Sequence, residues 1–278
     1  MKCAWEAFLA VVPPRIRKQV DELGKHRLQE LRLRIGQPVE LRMGAQSRFL
    51  SQQANQEDIR YVVNTASRYS PWAASTIQKG YITASGGHRI GLCGECVVQE
   101  GNVLTIRTAT SLCMRVARSF EGIGMGAPEE SLLILGPPGA GKTTLLRDII
   151  RQRSQSGESI AVVDERGELF PIGANFDAGE RTDILTGCSK AWGVETVLRC
   201  MGPSCIALDE ITAEEDCKAL LSAGWCGVDL LATAHASNVR DLKRRRIYQS
   251  LASSGLFSQA LVLKQDKTWH LERMELCT

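Results

Sequence analysis

The sequence predicts an α/β chain of two domains, a smaller α+β domain over residues 1–125 followed by a parallel-sheet domain over residues 126–278. Three observations predict it. At 278 residues the chain exceeds the roughly 100–200 residues usual for one domain. Its first half alternates apolar and polar residues between glycine turns, the habit of a sheet with one solvated face. Its second half repeats an apolar run, a turn and a helical pattern, the habit of a parallel sheet covered on both faces. The two habits meet in "SFEGIGMGAPEES", Ser119–Ser131, where three glycines and a proline interrupt both.

The elements follow in order. The opening segment, "MKCAWEAFLAVVPPRIRKQVDELG", carries a short apolar run, Ala7–Val12, cut by Pro13 and Pro14, and it lacks the core and cleavage site of a leader peptide. Pro14–Gly24 reads as a helix, and "LQELRLRIGQPVELRMG" as two strands around a Gly36–Pro38 turn. Asp58–Tyr69 reads as a helix. The stretch from Gly80 to Arg118, punctuated at Gly86-Gly87 and Gly101-Asn102, reads as antiparallel hairpins. In the second half the strands are Leu132–Leu135, Ile160–Val163, Cys205–Leu208 and Leu230–Thr233. Helical patterns cover Thr143–Gln155, Trp192–Cys200 and Ala213–Gly224, and "QALVLKQDKTWHLERMEL" offers two closing strands.

Composition narrows the function. Hydrophobic residues at 44% and charged residues at 23% suit a soluble protein with a real core. A net charge of +3 argues for neither nucleic acid nor membrane. The basic run Lys243–Arg246 has no interleaved aromatics and reads as a solvated or subunit-contacting face, so no direct nucleic-acid contact is expected. No window reaches the roughly 18–20 apolar residues of a membrane span, so the chain is expected to be cytoplasmic. Ten scattered cysteines read as reduced thiols. Cys93 and Cys96 form a CxxC in a strand-like stretch without a second pair, so neither zinc nor a redox pair is expected, and both read as buried.

The chemistry starts at "GPPGAGKT", which fits GxxxxGK[ST] as Gly136, Pro137, Pro138, Gly139, Ala140, Gly141, Lys142 and Thr143, with Thr144 next. Such a loop wraps backbone N–H groups around phosphate oxygens at the positive end of a helix, which needs glycines for close approach. The prolines have no N–H, so the cradle is expected from Gly139 onward. Lys142 reaches the β and γ phosphates of ATP, and the Thr143 hydroxyl serves Mg²⁺. About 65 residues later, "CIALDEI" ends an apolar run with Asp209, placed for the magnesium shell, and Glu210, placed to polarise a water for attack on the γ phosphate. "AVVDERGEL" adds Asp164, Glu165 and Glu168 after another run. "DLLATAHAS" brings His235 to the end of a third, suited to sensing the γ phosphate or ordering a water.

These motifs, in this order, resemble those of the RecA-like secretion ATPases of type II and type IV machines and pilus motors: a Walker A loop, an acidic box, a Walker B "LDEI" and a histidine box. "LRLRIGQPVEL", "GYITASGGHRIGLCG", "TIRTATSLCMRVAR" and "ALDEITAEEDCKAL" are similar to the sporulation stage III branch, from about Leu28 to the C-terminus. The resemblance implies a RecA-like P-loop domain, a homohexameric ring, and docking on an integral membrane protein of a sporulation channel on the mother-cell side. It implies that Glu165 or Glu168 assists catalysis and that N-terminal arginines reach the phosphates, with Arg89, Arg107, Arg115 and Arg118 as candidates. Two other readings of a RecA-like domain are a nucleic-acid motor and a nucleotide-gated scaffold with little hydrolysis.

Overall fold

In the computed structural model, which describes residues 1–44, 46–67 and 77–274, the alternating first half folds as an antiparallel sheet and the second as a largely parallel one. Each lies in its own compact unit. The first comprises Met1–Arg118 with Pro171–Asn175, and the second Ser119–Phe170 with Phe176–Thr278.

The first unit opens with α1 (Trp5–Val11) and α2 (Pro14–Leu23). A proline at the first helical position starts α2 without losing a needed N–H, and Gly24, at φ 78°, ends it. β1 (Glu30–Arg34), β2 (Pro38–Met43) and β3 (Gln46–Gln53) precede α3 (Gln56–Ser67). β4 (Tyr81–Thr83), β5 (Arg89–Gln99) and β6 (Asn102–Arg115) follow. The strands lie in the order β3-β2-β1-β6-β5-β4, each antiparallel to its neighbour. Phe8, Ile16, Leu31, Leu33, Leu41 and Met114 are among the side chains that fill its core.

Several expectations shift here. The β5–β6 turn is Glu100-Gly101, flanked by the Gln99–Asn102 pair, one residue earlier than the expected punctuation. Both turn residues have positive φ, 50° and 79°, the requirement of a tight twisted hairpin. Cys93 and Cys96 are exposed, not buried, because β5 beyond Leu92 loses its inward alternation. α1 and β3 are additional elements. The expected last two residues of α3, 68 and 69, lie outside the described residues, as do 275 and 276 of the closing strand.

The second unit runs β7 (Leu132–Leu135), α4 (Lys142–Gln155), β8 (Ile160–Asp164), β9 (Thr182–Thr186), α5 (Lys190–Cys200), β10 (Cys205–Leu208) and α6 (Glu214–Trp225). It continues with β11 (Asp229–Ala234), α7 (Val239–Arg244), α8 (Gln249–Ser253), β12 (Gln259–Leu263) and β13 (Trp269–Arg273). The order is β13-β12-β7-β11-β10-β8-β9, parallel throughout except for the β12–β13 hairpin. β7 is apolar at every position because both of its faces are buried. Leu132 and Ile134 pack with Leu145, Leu146 and Ile149 of α4, while Leu133 and Leu135 join the cluster of Val194, Val197, Cys217 and Leu220 from α5 and α6.

Candidate functional site

Because β7, β11, β10 and β8 are parallel neighbours, their carboxyl ends sit in a row, and the segment after each one carries a motif. After β7 the chain turns sharply. A Cβ on Gly136 would meet the Leu263 carbonyl oxygen at 2.8 Å, so only glycine fits against the end of β12. Gly139 (φ 74°) and Gly141 (φ 103°) take backbone angles that other residues resist. Gly141 caps α4 without a side-chain hydrogen bond, which leaves the first N–H groups of the helix for an anion.

Lys142 is only 7% exposed, and its ammonium spends its three protons on Gly136 O (2.8 Å), Pro137 O (3.2 Å) and His235 Nδ1 (3.0 Å). Burial pulls its pKa below the usual lysine value, against the attraction of Asp209 and Glu210. Since His235 Nδ1 accepts from Lys142, Nε2 carries the proton and donates to Glu210 Oε1 at 2.8 Å. The other Glu210 oxygen takes Arg166 Nη1 at 2.9 Å. Lys142, His235, Glu210 and Arg166 thus form one hydrogen-bonded chain across four strand ends.

A second chain runs beside it. Asp209 accepts from the Thr143 hydroxyl and from the Thr233 hydroxyl, each at 2.6 Å, and Thr233 Oγ1 in turn accepts the Glu210 N–H at 2.8 Å. Glu210 holds φ 55°, an unusual angle for a non-glycine residue, fixed from both its backbone and its side chain. Burial raises the Glu210 pKa, but the His235 hydrogen bond and the Arg166 charge more than offset it, so the carboxyl lies below the ordinary glutamate value. It is ionised at neutral pH, the state of a base.

The acidic box divides its labour. Asp164, 2% exposed, accepts the N–H groups of Glu168 (2.9 Å), Leu169 (2.9 Å) and Phe170 (3.0 Å), and burial lifts its pKa to about 6 in spite of them. Its work is to fold the loop. Glu165 pairs with Lys190 at 2.8 Å. Both line a cleft with Asp164, Arg166, Glu168, Asp209 and Glu210. Arg147 of α4 closes the loop from beneath. It donates to the Leu169 carbonyl and, at 2.9 Å, to Glu168 O, and its guanidinium lies 4.6 Å from the Phe176 ring centre. Burial presses its pKa down to about 10. Arg147→Ala is therefore expected to cost about 3 kcal/mol, because it strips packing and leaves buried carbonyls unpaired. Chemical denaturation measures this as a lower midpoint.

Lys142, Thr143, Asp209, Glu210 and His235 come together at the carboxyl ends of β7, β10 and β11, and Glu165 and Glu168 line the cleft that Asp209 and Glu210 share. Ala140 is fully buried in the loop, and Thr144 lies on the first turn of α4. The arginines stand in the first unit. Arg89 lies 3.9 Å from the Tyr81 ring centre, Arg107 pairs with Glu95, and Arg115 pairs with Glu30 at 3.4 Å. Arg118 donates to Lys25 O and His26 O. In the basic run, Arg245 pairs with Asp241 and the exposed Arg246 with Glu214. Arg166, Lys190 and Thr233 were not among the expected site residues. Arg166 could have been found as a cation inside the acidic box, whereas Lys190 and Thr233 carry no motif.

Known proteins resemble this chain in sequence and in fold. The profile of the family described as "Sporulation stage III, protein AA" matches residues 5–271. Stage III sporulation protein AA of Bacillus subtilis (strain 168) is 33% identical over 278 aligned positions, covering 92% of this chain and 90% of that one. Among solved structures, the Legionella pneumophila ATPase DotB superposes with a TM-score of 0.56 at 17% identity, over 94% of this chain and 80% of its own. The pilus retraction motor PilT with bound ADP gives 0.59 at 17%, over 89% and 76%. The fold is that of these ATPases, a RecA-like P-loop domain with an N-terminal α+β domain. With a profile match spanning both units and one-third identity to a sporulation protein, the chain belongs to the family of stage III sporulation protein AA.

Proposed function

We propose that this protein is a Mg²⁺-dependent ATPase that turns hydrolysis into motion between its domains in a ring of identical subunits. The observation that carries the reading is the hydrogen-bonded chain from Lys142 through His235 to Glu210, beside the Thr143–Asp209 pair. Phosphate arriving at Lys142 competes with His235 for the ammonium, and His235 passes that change to the carboxylate that activates water. Lys142 and the N–H groups from Gly139 onward bind and orient the phosphates. Glu210 takes the proton of the attacking water, and Glu165 and Glu168 support the acidic cleft beside it. Thr143 and Asp209 offer hard oxygen donors that suit Mg²⁺, which when bound neutralises charge developing on the phosphates.

Family membership supports the wider reading: a homohexamer docked at a membrane through an integral membrane partner on the mother-cell side of a sporulation channel. Arg89, Arg107, Arg115 and Arg118 are the candidates there for the arginine that reaches the phosphates in the ring. No helix among the described residues is long and apolar enough to cross a membrane. Phosphate release from ATP by the purified protein tests the central claim. Turnover that stops on chelation of Mg²⁺ supports it, and nucleotide binding with no phosphate release over many hours reduces the protein to a nucleotide-gated scaffold.

A further inference from the structure

The turn between β12 and β13 brings a second lysine to the phosphate loop, from its outer side. The Lys267 N–H donates to Lys264 O (3.1 Å) and the Lys264 N–H to Thr268 O (2.9 Å), while Asp266 accepts the Thr268 N–H (3.0 Å) and hydroxyl (2.7 Å). Inside this turn Lys267 holds φ 73°, an angle that non-glycine residues keep only where their surroundings enforce it. Its ammonium donates to Gly139 O at 2.7 Å and to Ala140 O at 2.9 Å, and Gln265 Nε2 reaches Pro138 O at 3.5 Å. Three consecutive loop carbonyls therefore face one turn of the C-terminal hairpin.

A trans peptide unit is planar, and its C=O and N–H point in opposite directions. The unit that carries the Gly139 carbonyl also carries the Ala140 N–H, and the unit with the Ala140 carbonyl carries the Gly141 N–H. A cation that gathers both carbonyls on one side turns both N–H groups to the other. The Ala140 N–H accordingly points to Pro137 O at 3.2 Å, inside the loop. The charge also polarises both units and strengthens their N–H groups as donors.

We propose that Lys267 is a positioning residue that presets the anion cradle: it holds the Gly139 and Ala140 carbonyls outward, which keeps the Ala140 N–H on Pro137 O inside the loop and leaves the Gly141 N–H aimed at phosphate before nucleotide arrives. This rests on the nucleotide-binding reading above. Preorganisation of this kind lowers the ordering cost of binding and acts on affinity more than on the chemical step.

Two measurements on the full chain test it: calorimetric titration with Mg²⁺·ADP, and amide hydrogen exchange of residues 136–143 without nucleotide. Lys267→Met and Lys267→Gly are both expected to weaken binding roughly tenfold and to speed exchange in the loop, with kcat within about twofold of wild type. Lys267→Arg, which keeps the cation, stays within about threefold. Because glycine relieves the strained φ and methionine does not, equal losses in the two assign the effect to the amine. Wild-type affinity in Lys267→Met, or weaker binding with unchanged exchange, overturns the brace. No Mg²⁺·ADP binding by the wild type overturns the nucleotide-binding reading itself, and the brace with it.

Discussion

Lys142→Ala abolishes nucleotide binding, with Kd for ATP rising by a factor of about 100 or more. The residue contributes twice. In the proposed site it is the charged donor to the β and γ phosphates, and hydrogen bonds to charged groups are worth about 1.5–3 kcal/mol each. It is also a structural hub, because its three protons tie Gly136 O, Pro137 O and His235 Nδ1 together. Alanine leaves His235 without its donor, so the tautomer that feeds Glu210 is no longer fixed. Calorimetry with Mg²⁺·ATP measures the loss. A variant that binds within threefold of wild type would remove Lys142 from the phosphate site and with it the reading of the whole loop.

Glu210→Gln separates the two halves of the activity. Binding is expected within about threefold of wild type, because no phosphate contact falls to this side chain, while turnover falls by a factor of about 100 to 10,000, the usual worth of a placed general base. The amide keeps the size of the carboxylate but cannot accept from both His235 Nε2 and Arg166 Nη1, since one of its ends is itself a donor. The wild-type carboxyl titrates below the ordinary glutamate range, so its charge supports the fold at neutral pH and is lost only as pH falls through that depressed value. Activity should accordingly show no loss from Glu210 protonation between pH 6 and 8. Equal phosphate release by wild type and Glu210→Gln would sink the assigned role.

The sequence made the inner sheet plain and left its margins blank. β7, β8, β10 and β11 are short apolar runs because both faces of each are covered, and burial on two sides leaves little choice of residue. β9 is a mostly exposed edge, and in β3 only Leu50 is buried, so neither had to alternate. α1 is seven residues long and sits against a proline pair that read as a break. The site follows the same logic. Lys142, Thr143, Asp209 and Glu210 lie in segments whose spacing is dictated by chemistry. Lys190 and Lys267 do their work through side-chain bonds to residues far away in sequence, which no local pattern records.

The place of β7 in its sheet bears on how the protein is made. Its neighbours are β11 and β12, where Leu132 pairs beside Leu231 and Gln259, about 100 and about 130 residues further along the chain. On a ribosome moving at roughly 5–20 residues per second, the strand that carries the phosphate loop waits on the order of ten seconds before either neighbour exists. During that interval four consecutive large aliphatic side chains and both hydrogen-bonding edges of β7 lack their native partners. The phosphate site cannot be completed until both β11 and β12 have been made, and the β12–β13 hairpin is a late requirement for its birth.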